Sequence, residues 1–493
     1  MGIEQLPILV VLAPLLAGFA AYLLPARAAS ALVPLTFAAV GASIVPLLQY
    51  IVVFGPLRTS VGGWGIPLGI DLYVDGTGLL LLGMTTGLMG GICIYSLTYF
   101  GDGTRASRFW PMLLLTWASL NNLFITGDIF NMYVTLELLG LLSVGLIALA
   151  GTPAAYAASL RYLLAALCGS LFYLLGVAMV YGNSGNLDWV ELRFHLEGGP
   201  SAAIALGLMT AGLMLKAAVF PLHFWLPPAH ANAPAPVSAL LSALMIKASF
   251  YISLRMWLWV FPGSINTEMA GPFLGVLGAA AIVYGSLQAM RQRRLKLLIA
   301  YSTVAQLGYL FVFFALSVSP GSETPALQAV VIFAVSHAFA KAALFMCSGA
   351  IIHAYGHDWI DGLRGCAERL PAVTFAFAIA GVSLVGLPPS GGFIGKYMLI
   401  LTAAKQGQWF WAAVLALGGI LAAGYIFRVL NILLRTGPTV SVGRRVPVGL
   451  VWPAFALALA AMLLGLTASG PLDIIAIGGP EYDTFRVDLG GAP

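Results

Sequence analysis

Long apolar runs separated by short polar stretches organise the whole chain. They fall near 4–24, 31–54, 76–99, 109–126, 129–150, 157–181, 201–226, 236–260, 271–290, 295–317, 325–352, 371–404, 409–432 and 448–469. A helix needs about 20 apolar residues to cross a hydrocarbon layer of ~30 Å. The pattern therefore predicts an all-α integral membrane protein of about fourteen transmembrane helices. The boundary between the fourth and fifth rests on Gly127-Asp128. Glu4 stands before the first run with no Lys or Arg, so the basic start of a signal peptide is missing and 4–24 reads as a retained helix.

Two runs do not fit a simple helix. Residues 371–404 would make a straight rod of ~50 Å, well beyond the bilayer core. Their middle reads Gly386-Leu387-Pro388-Pro389-Ser390-Gly391-Gly392, where proline removes backbone donors and clashes with the preceding turn. The run from 201 contains Lys216-Ala217-Ala218-Val219-Phe220-Pro221 and then Pro227-Pro228. Broken backbone at membrane depth is tolerated only where it is buried in protein or lines a watery cavity. Two interrupted spans in separate parts of a chain, each with a lysine beside the break, point to a transport pathway. Kinks in packed helices are the plainer alternative.

Composition supports the membrane reading. The chain of 493 residues is 60% hydrophobic and 8% charged, against ~25% charged in soluble domains. Its net charge of +5 is sided. With the N-terminus outside, the cytoplasmic loops hold Arg27, Arg105, Arg108, Arg161, Arg291, Arg293, Arg294, Lys296, Arg364, Arg369, Arg435, Arg444 and Arg445. The opposite loops hold Arg58, Arg193, Lys405 and Arg486, with acidic Asp188, Glu191, Glu268, Glu323, Glu481 and Asp483. This asymmetry obeys the positive-inside rule and predicts an even number of spans with both termini outside. No basic cluster interleaved with aromatics offers a nucleic-acid surface. Cys93, Cys168, Cys347 and Cys366 are scattered, so no metal, iron–sulfur or disulfide framework is expected. Nothing names a bound small-molecule cofactor.

Removing loop charges leaves Glu137, Lys216, Lys247, Arg255, Lys341 and Lys396 within spans, with His337 beside Lys341. Each central charge costs ~2.5–3.5 kcal/mol on insertion scales. Snorkelling accounts for Arg255, five residues from the end of its run, but not for Lys247. One glutamate does not neutralise four lysines, and a desolvated lysine gives up and regains its proton near neutral pH. The set therefore reads as a proton path rather than as structural ion pairs. His337 and Lys341 share a helix face at i,i+4, which suits His337 to shuttle protons. His223 and His230 flank Pro227-Pro228 and serve either as loop anchors or as a proton entrance. Ser302, Gln306 and Tyr309 form a stripe that either holds water or joins helices, the second being favoured. Asp128 has the position of an N-cap.

These segments resemble a known family. Asn121-Asn122-Leu123-Phe124-Ile125-Thr126-Gly127-Asp128-Ile129-Phe130-Asn131 through Glu137, Lys216 through Pro227, Lys247, Arg294 through Ser302, His337 through Lys341, and Gly386 through Lys396 are similar to the antiporter-like subunits. Mrp-type sodium/proton antiporters, respiratory complex I and membrane-bound hydrogenases share these subunits. The likeness covers essentially the whole chain and is strongest to the D subunit of Mrp antiporters. It implies two inverted five-helix repeats, each with one discontinuous helix. The expected division is three N-terminal helices in 1–108, a first repeat in 109–260, a second in 271–432, a last helix at 448–469 and a tail at 470–493. By position, Glu137 and Lys216 are the charge pair of the first half-channel and Lys247 links the halves. His337 and Lys341 continue the axis, and Lys396 ends the second half-channel.

The resemblance also implies other membrane subunits as partners, protons as cargo with sodium left open, and a bacterial or archaeal cell membrane as location. The tail lacks the long amphipathic helix of one complex I subunit, which argues against that assignment. A pumping subunit of a redox-driven complex is the main rival within the fold. An autonomous solute carrier fits poorly, because the lysines are strung along the chain rather than clustered. A passive anchor fits poorly with a complete charge set.

Overall fold

The computed structural model describes residues 2–262, 265, 269–317, 323–436 and 444–480. The expected loop charges Glu268, Glu481, Asp483 and Arg486 lie outside the described residues. From the N-terminus come α1 (Leu6–Leu23), α2 (Ala26–Phe54), the antiparallel pair β1 (Leu57–Ser60) and β2 (Asp71–Val74), α3 (Gly76–Phe100) and α4 (Thr104–Ile125). Next are α5 (Ile129–Ala148), α6 (Pro153–Ser184), the short α7 (Trp189–His195), α8 (Pro200–Lys216) and α9 (Leu226–Asn232). Then α10 (Ala235–Leu240), a π turn at Leu241–Met245, α11 (Ile246–Arg255) and a second π turn at Met256–Val260 run on as one rod. The second half comprises α12 (Ala270–Arg291), α13 (Leu295–Leu316), α14 (Glu323–Tyr355), the single turn α15 (Cys366–Arg369), α16 (Pro371–Val385), α17 (Gly391–Lys405) and α18 (Trp409–Leu434). It closes with α19 (Val448–Leu466) and α20 (Ser469–Ala476).

Among the described residues, 11 helices are long and apolar enough to cross a membrane. The three remaining apolar runs are α4, which is more polar, and the broken pairs α8/α9 and α16/α17. Every one of the fourteen expected runs is thus helical, and both predicted interruptions are real breaks. Spans four to eight and nine to thirteen each place their break in the fourth helix. Five crossings per set is the odd number that the expected inverted arrangement requires.

Local sequence sets the helix ends. Asp75, Asp128, Thr152 and Ser390 each accept a backbone N–H of the first turn of the helix that follows, satisfying donors that helix geometry leaves free. Asp128 is therefore an N-cap, as its position predicts. Close approach of helices needs small residues. A Cβ on Gly212 would run into the Gly169 carbonyl between α6 and α8, and one on Gly308 into the Gly278 carbonyl between α12 and α13.

Burial separates the centre from the lipid face. The 235–260 rod, α13 and α14 are almost wholly enclosed, whereas most residues of α1 and α2 are half-buried or exposed. Apolar side chains such as Leu16, Phe19, Leu160 and Ile420 face outward, as lipid solvent requires.

Arg255 overturns its expectation. It does not snorkel: its guanidinium is fully buried, 2.7 Å from Asp75, with Nε donating to the Tyr251 hydroxyl at 2.9 Å. The rings of Trp189 and Trp259 lie 4.5 Å from it. Distance along the sequence suggests reach to the interface, but a carboxylate 180 residues away supplies the counter-charge in place. Outside the bilayer core, Arg58 binds Asp71 at 2.6 Å, Asp188 at 2.8 Å and Glu191 at 3.3 Å, tying the β pair to α7. Burial pushes the Asp188 carboxyl up to about 6, against the opposing pull of Arg58.

Removing one partner of a buried pair strands the other charge, at about 3–5 kcal/mol. Asp75→Ala is expected to lower the thermal unfolding midpoint of the purified protein sharply, while Asp102→Ala, at an exposed pair with Arg27, leaves it within a degree or two, as for weak surface pairs. Equal midpoints would remove the structural role given to the Asp75–Arg255 pair.

Candidate functional site

The first break begins where α8 ends. Lys216 occupies the last turn of α8, where the helix dipole favours a cation. Its Nζ lies 3.4 Å from Glu137 Oε2 and 3.3 Å from the Leu136 carbonyl. Ser170 Oγ donates to the same glutamate oxygen. The chain then turns through Ala218, whose φ of 54° is left-handed, and Trp225 Nε1 donates to the Leu215 carbonyl at 2.9 Å. The freed carbonyls of the break therefore have partners, as burial demands.

Beside Lys216 is a cavity of about 20 Å³, bounded further along by Tyr162, Trp225, His230, Met245 and Ser249. That is room for about one water. Lys216 and His230 on α9 thus border the same cavity. The His230 ring is buried, stacks on Phe345 with centroids 4.9 Å apart, and lies in the field of Lys296, Lys341 and Lys247. His223 instead sits under Phe220 and Tyr284, away from this file. The two histidines, read alike from the sequence, have different surroundings.

Lys247 is fully buried on α11, and its Nζ donates to the Ser242 carbonyl at 2.6 Å. Ser242 belongs to the π turn, a widening of the helix that frees a carbonyl and recurs at functional sites. Ser242 Oγ meets Thr303 Oγ1 at 3.1 Å, which carries the polar contact to α13. There Lys341 Nζ donates to the Ile299 carbonyl at 3.0 Å and to Ser302 Oγ. His337, one turn before Lys341, is buried with both ring nitrogens unpartnered and its ring parallel to Phe333. It lies in the field of Lys247, Lys341 and Lys396.

The second break is built on Gly386, whose φ of 88° is left-handed. Lys396 folds back from α17 across the break, and its Nζ donates to the Leu384 carbonyl at 2.7 Å and the Val385 carbonyl at 3.3 Å. The Tyr309 ring lies 4.3 Å from the same Nζ. The stripe on α13 thus divides. Ser302 serves Lys341, while Gln306 binds the Tyr425 hydroxyl at 3.1 Å and Tyr309 the Leu415 carbonyl at 3.0 Å, both joining α13 to α18. Asp128 caps α5 and contributes no contact to the lysine file.

Sequence reasoning misses one member. Lys296, expected among the loop charges, is buried at the start of α13 and donates to the Ala233 carbonyl close to His230. Its neighbours Arg294 and Asp358 hold the turn: Arg294 Nε meets Asp358 Oδ1 at 2.9 Å, and Asp358 Oδ2 accepts the Lys296 N–H at 3.2 Å. The alternation Arg294-Leu295-Lys296 at a helix start is the available signal, since closely spaced cations there point to different faces. Among the described residues, no group of acidic, histidine and cysteine side chains is arranged to hold a metal ion, and the four cysteines are free thiols.

A many-span helical membrane protein with a buried file of amines through two broken helices is the class that fold and site define. The chain belongs to the family described as NADH:quinone oxidoreductase/Mrp antiporter, TM, which matches residues 126–422. It is 36% identical to the N subunit of NADH-quinone oxidoreductase from Desulforudis audaxviator, over 87% of this chain and 86% of that protein. It is 29% identical to the D subunit of the Na(+)/H(+) antiporter from Bacillus subtilis, over 85% of each. Among solved structures, a chain of the Mrp complex from Dietzia sp. superposes with a TM-score of 0.86 at 26% identity, covering 96% of both chains.

The second break makes a specific demand. A Cβ on Gly386 would lie 2.8 Å from Lys396 Cδ, and the left-handed backbone adds about 1–2 kcal/mol for any L-residue. Gly386→Ala is expected to displace Lys396 and lower proton flux in proteoliposomes by on the order of tenfold, as for a misplaced reacting group. Ala218→Gly, which relieves the same strain at the first break, keeps flux near wild type. Normal flux in the Gly386 variant would contradict the geometry.

Proposed function

We propose that this chain is the proton-translocating, antiporter-like subunit of a multisubunit cation/proton antiporter of the Mrp type. The observation that carries the reading is the set of buried amines and imidazoles strung from Glu137–Lys216 through His230, Lys296 and Lys247 to Lys341, His337 and Lys396, with Lys247 and Lys341 joined through Ser242, Thr303 and the Ile299 carbonyl. Its lysines bind main-chain carbonyls and hydroxyls, with Glu137 the carboxylate that meets an ammonium of the file. Such amines pass protons by taking turns at carrying charge, because all of them charged together would repel across a low-dielectric interior.

In this account, separating or closing the Glu137–Lys216 pair changes the field at His230 and Lys247 and so couples proton uptake to a distant driver. The two repeats, 109–260 and 271–432, supply access from opposite sides. The N-terminal helices in 1–108, the last helix at 448–469 and the tail at 470–493 flank them. The sidedness of the arginines supports both termini lying outside a bacterial or archaeal cell membrane. The matched structures are membrane complexes, which supports other membrane subunits as partners. Sodium crosses either here or in a neighbouring subunit.

A second reading has its own support, since a relative at 36% identity is named for NADH-quinone oxidoreductase. In it the chain is a pumping module of a redox-driven complex, with the same file and a different driver. Gentle purification from the native membrane separates the two: small membrane subunits alone support the antiporter, while co-purifying flavin or iron–sulfur subunits support the redox machine. In either setting, Glu137→Ala or Lys216→Ala is expected to abolish proton transport in membrane vesicles while the complex still assembles on a native gel. Near-normal transport by either variant would sink the assignment of that pair.

A further inference from the structure

We propose that the arginine-rich side of the protein carries a binding site for one anionic phospholipid, in a cleft between α1, α4 and the α5–α6 turn. The cleft has a volume of about 730 Å³. Its mouth holds Arg105 and Arg108, its walls Tyr22 and Tyr156, and its floor Met112 and Leu115. The lining includes no carboxylate. Among the described residues neither arginine has an acidic partner, whereas neighbouring Arg27 is already neutralised by Asp102 at 2.6 Å.

The arrangement grades from charge to hydrocarbon. A Cβ on Gly151 would lie 3.6 Å from an Arg105 Nη, so this guanidinium hangs over the α5–α6 turn. One on Gly145 would lie 2.7 Å from the Met112 sulfur, so the floor is a narrow apolar groove between α4 and α5. Tyr22 and Tyr156 are both more than half exposed, at the level where tyrosines border the headgroups. Two free guanidiniums at that level suit a phosphate with net negative charge, and the groove beneath suits the start of an acyl chain. A zwitterionic headgroup would bring its own cation to the arginines, and free phosphate would leave the groove unfilled. The occupant that satisfies both ends is an anionic phospholipid such as phosphatidylglycerol.

The test uses the intact complex in lipid nanodiscs doped with diazirine-tailed phosphatidylglycerol or diazirine-tailed phosphatidylcholine. After illumination, labelled peptides are mapped by mass spectrometry. The proposal predicts strong labelling of the α4 peptide containing Met112 and Leu115 by phosphatidylglycerol, weak labelling by phosphatidylcholine, and no protection by inorganic phosphate. In the Arg105→Gln/Arg108→Gln double variant the phosphatidylglycerol labelling falls by on the order of tenfold, as loss of two interfacial cations implies. Arg27→Gln leaves it unchanged. Equal labelling of the wild type by the two lipids, protection by phosphate, or undiminished labelling of the double variant would overturn it. The comparison of lipids needs no variant, so it stands even where the double variant fails to assemble.

Discussion

An ammonium group inside hydrocarbon must find oxygen within the protein, and regular helices offer little, because their carbonyls are already bonded along the axis. Three lysines of the file resolve this conflict at an irregularity or at the open end of a helix, while Lys216 and Lys341 add a side-chain oxygen, from Glu137 or Ser302, to a carbonyl of a regular helix. Lys396 binds the carbonyls left open where α16 ends, and Lys247 one in a π turn. Lys296 binds the stretch between α9 and α10, and Lys216 sits at the end of α8 beside its glutamate. Lys341 reaches the first turns of α13, where a serine hydroxyl joins the carbonyl. At the second break the backbone and the charge are therefore one feature: a straight helix would deny Lys396 the Leu384 and Val385 carbonyls, and without the amine those carbonyls would lose that partner.

The same constraint explains how the rest of the chain is arranged. The 235–260 rod with its two π turns, α13 and α14 occupy the enclosed centre, and the regular helices α1 and α2 stand outside. Neutral acceptors also hold the amines without fixing their charge. A carboxylate beside each lysine would lock it as an ion pair, whereas a carbonyl or a serine hydroxyl leaves the gain or loss of one proton a modest change. The tight carboxylate pair Asp75–Arg255 elsewhere in the interior shows the contrast: an arginine that stays charged, caged by aromatic rings, serves as a fixed strut.

Much of this is legible in the sequence because membrane spans advertise themselves by length and apolarity, and charges within them stand out. The fourteen runs, the breaks after Lys216 and at Gly386, and most of the buried lysines follow from those two signals. What sequence reasoning misses depends on three-dimensional partners. Counting residues puts Arg255 near the interface, yet its partner Asp75 begins another helix. Lys296 groups with its arginine neighbours in a loop, yet the helix start turns it inward to Ala233. His223 and His230 flank the same prolines, and only the fold sets one against the lysines and the other under Phe220. Lys216 and His230 border one cavity, which no sequence pattern records.

The central claim is that the two half-paths form a single file that passes through Lys247. The most direct measurement is proton flux in proteoliposomes holding the intact complex with Lys247→Met, an apolar side chain of similar length that donates nothing to Ser242. The account predicts that flux is lost while the complex retains its subunits and its thermal stability, since the methionine fills the same apolar space. Flux at the wild-type level would show that protons bypass Lys247 and would contradict the account.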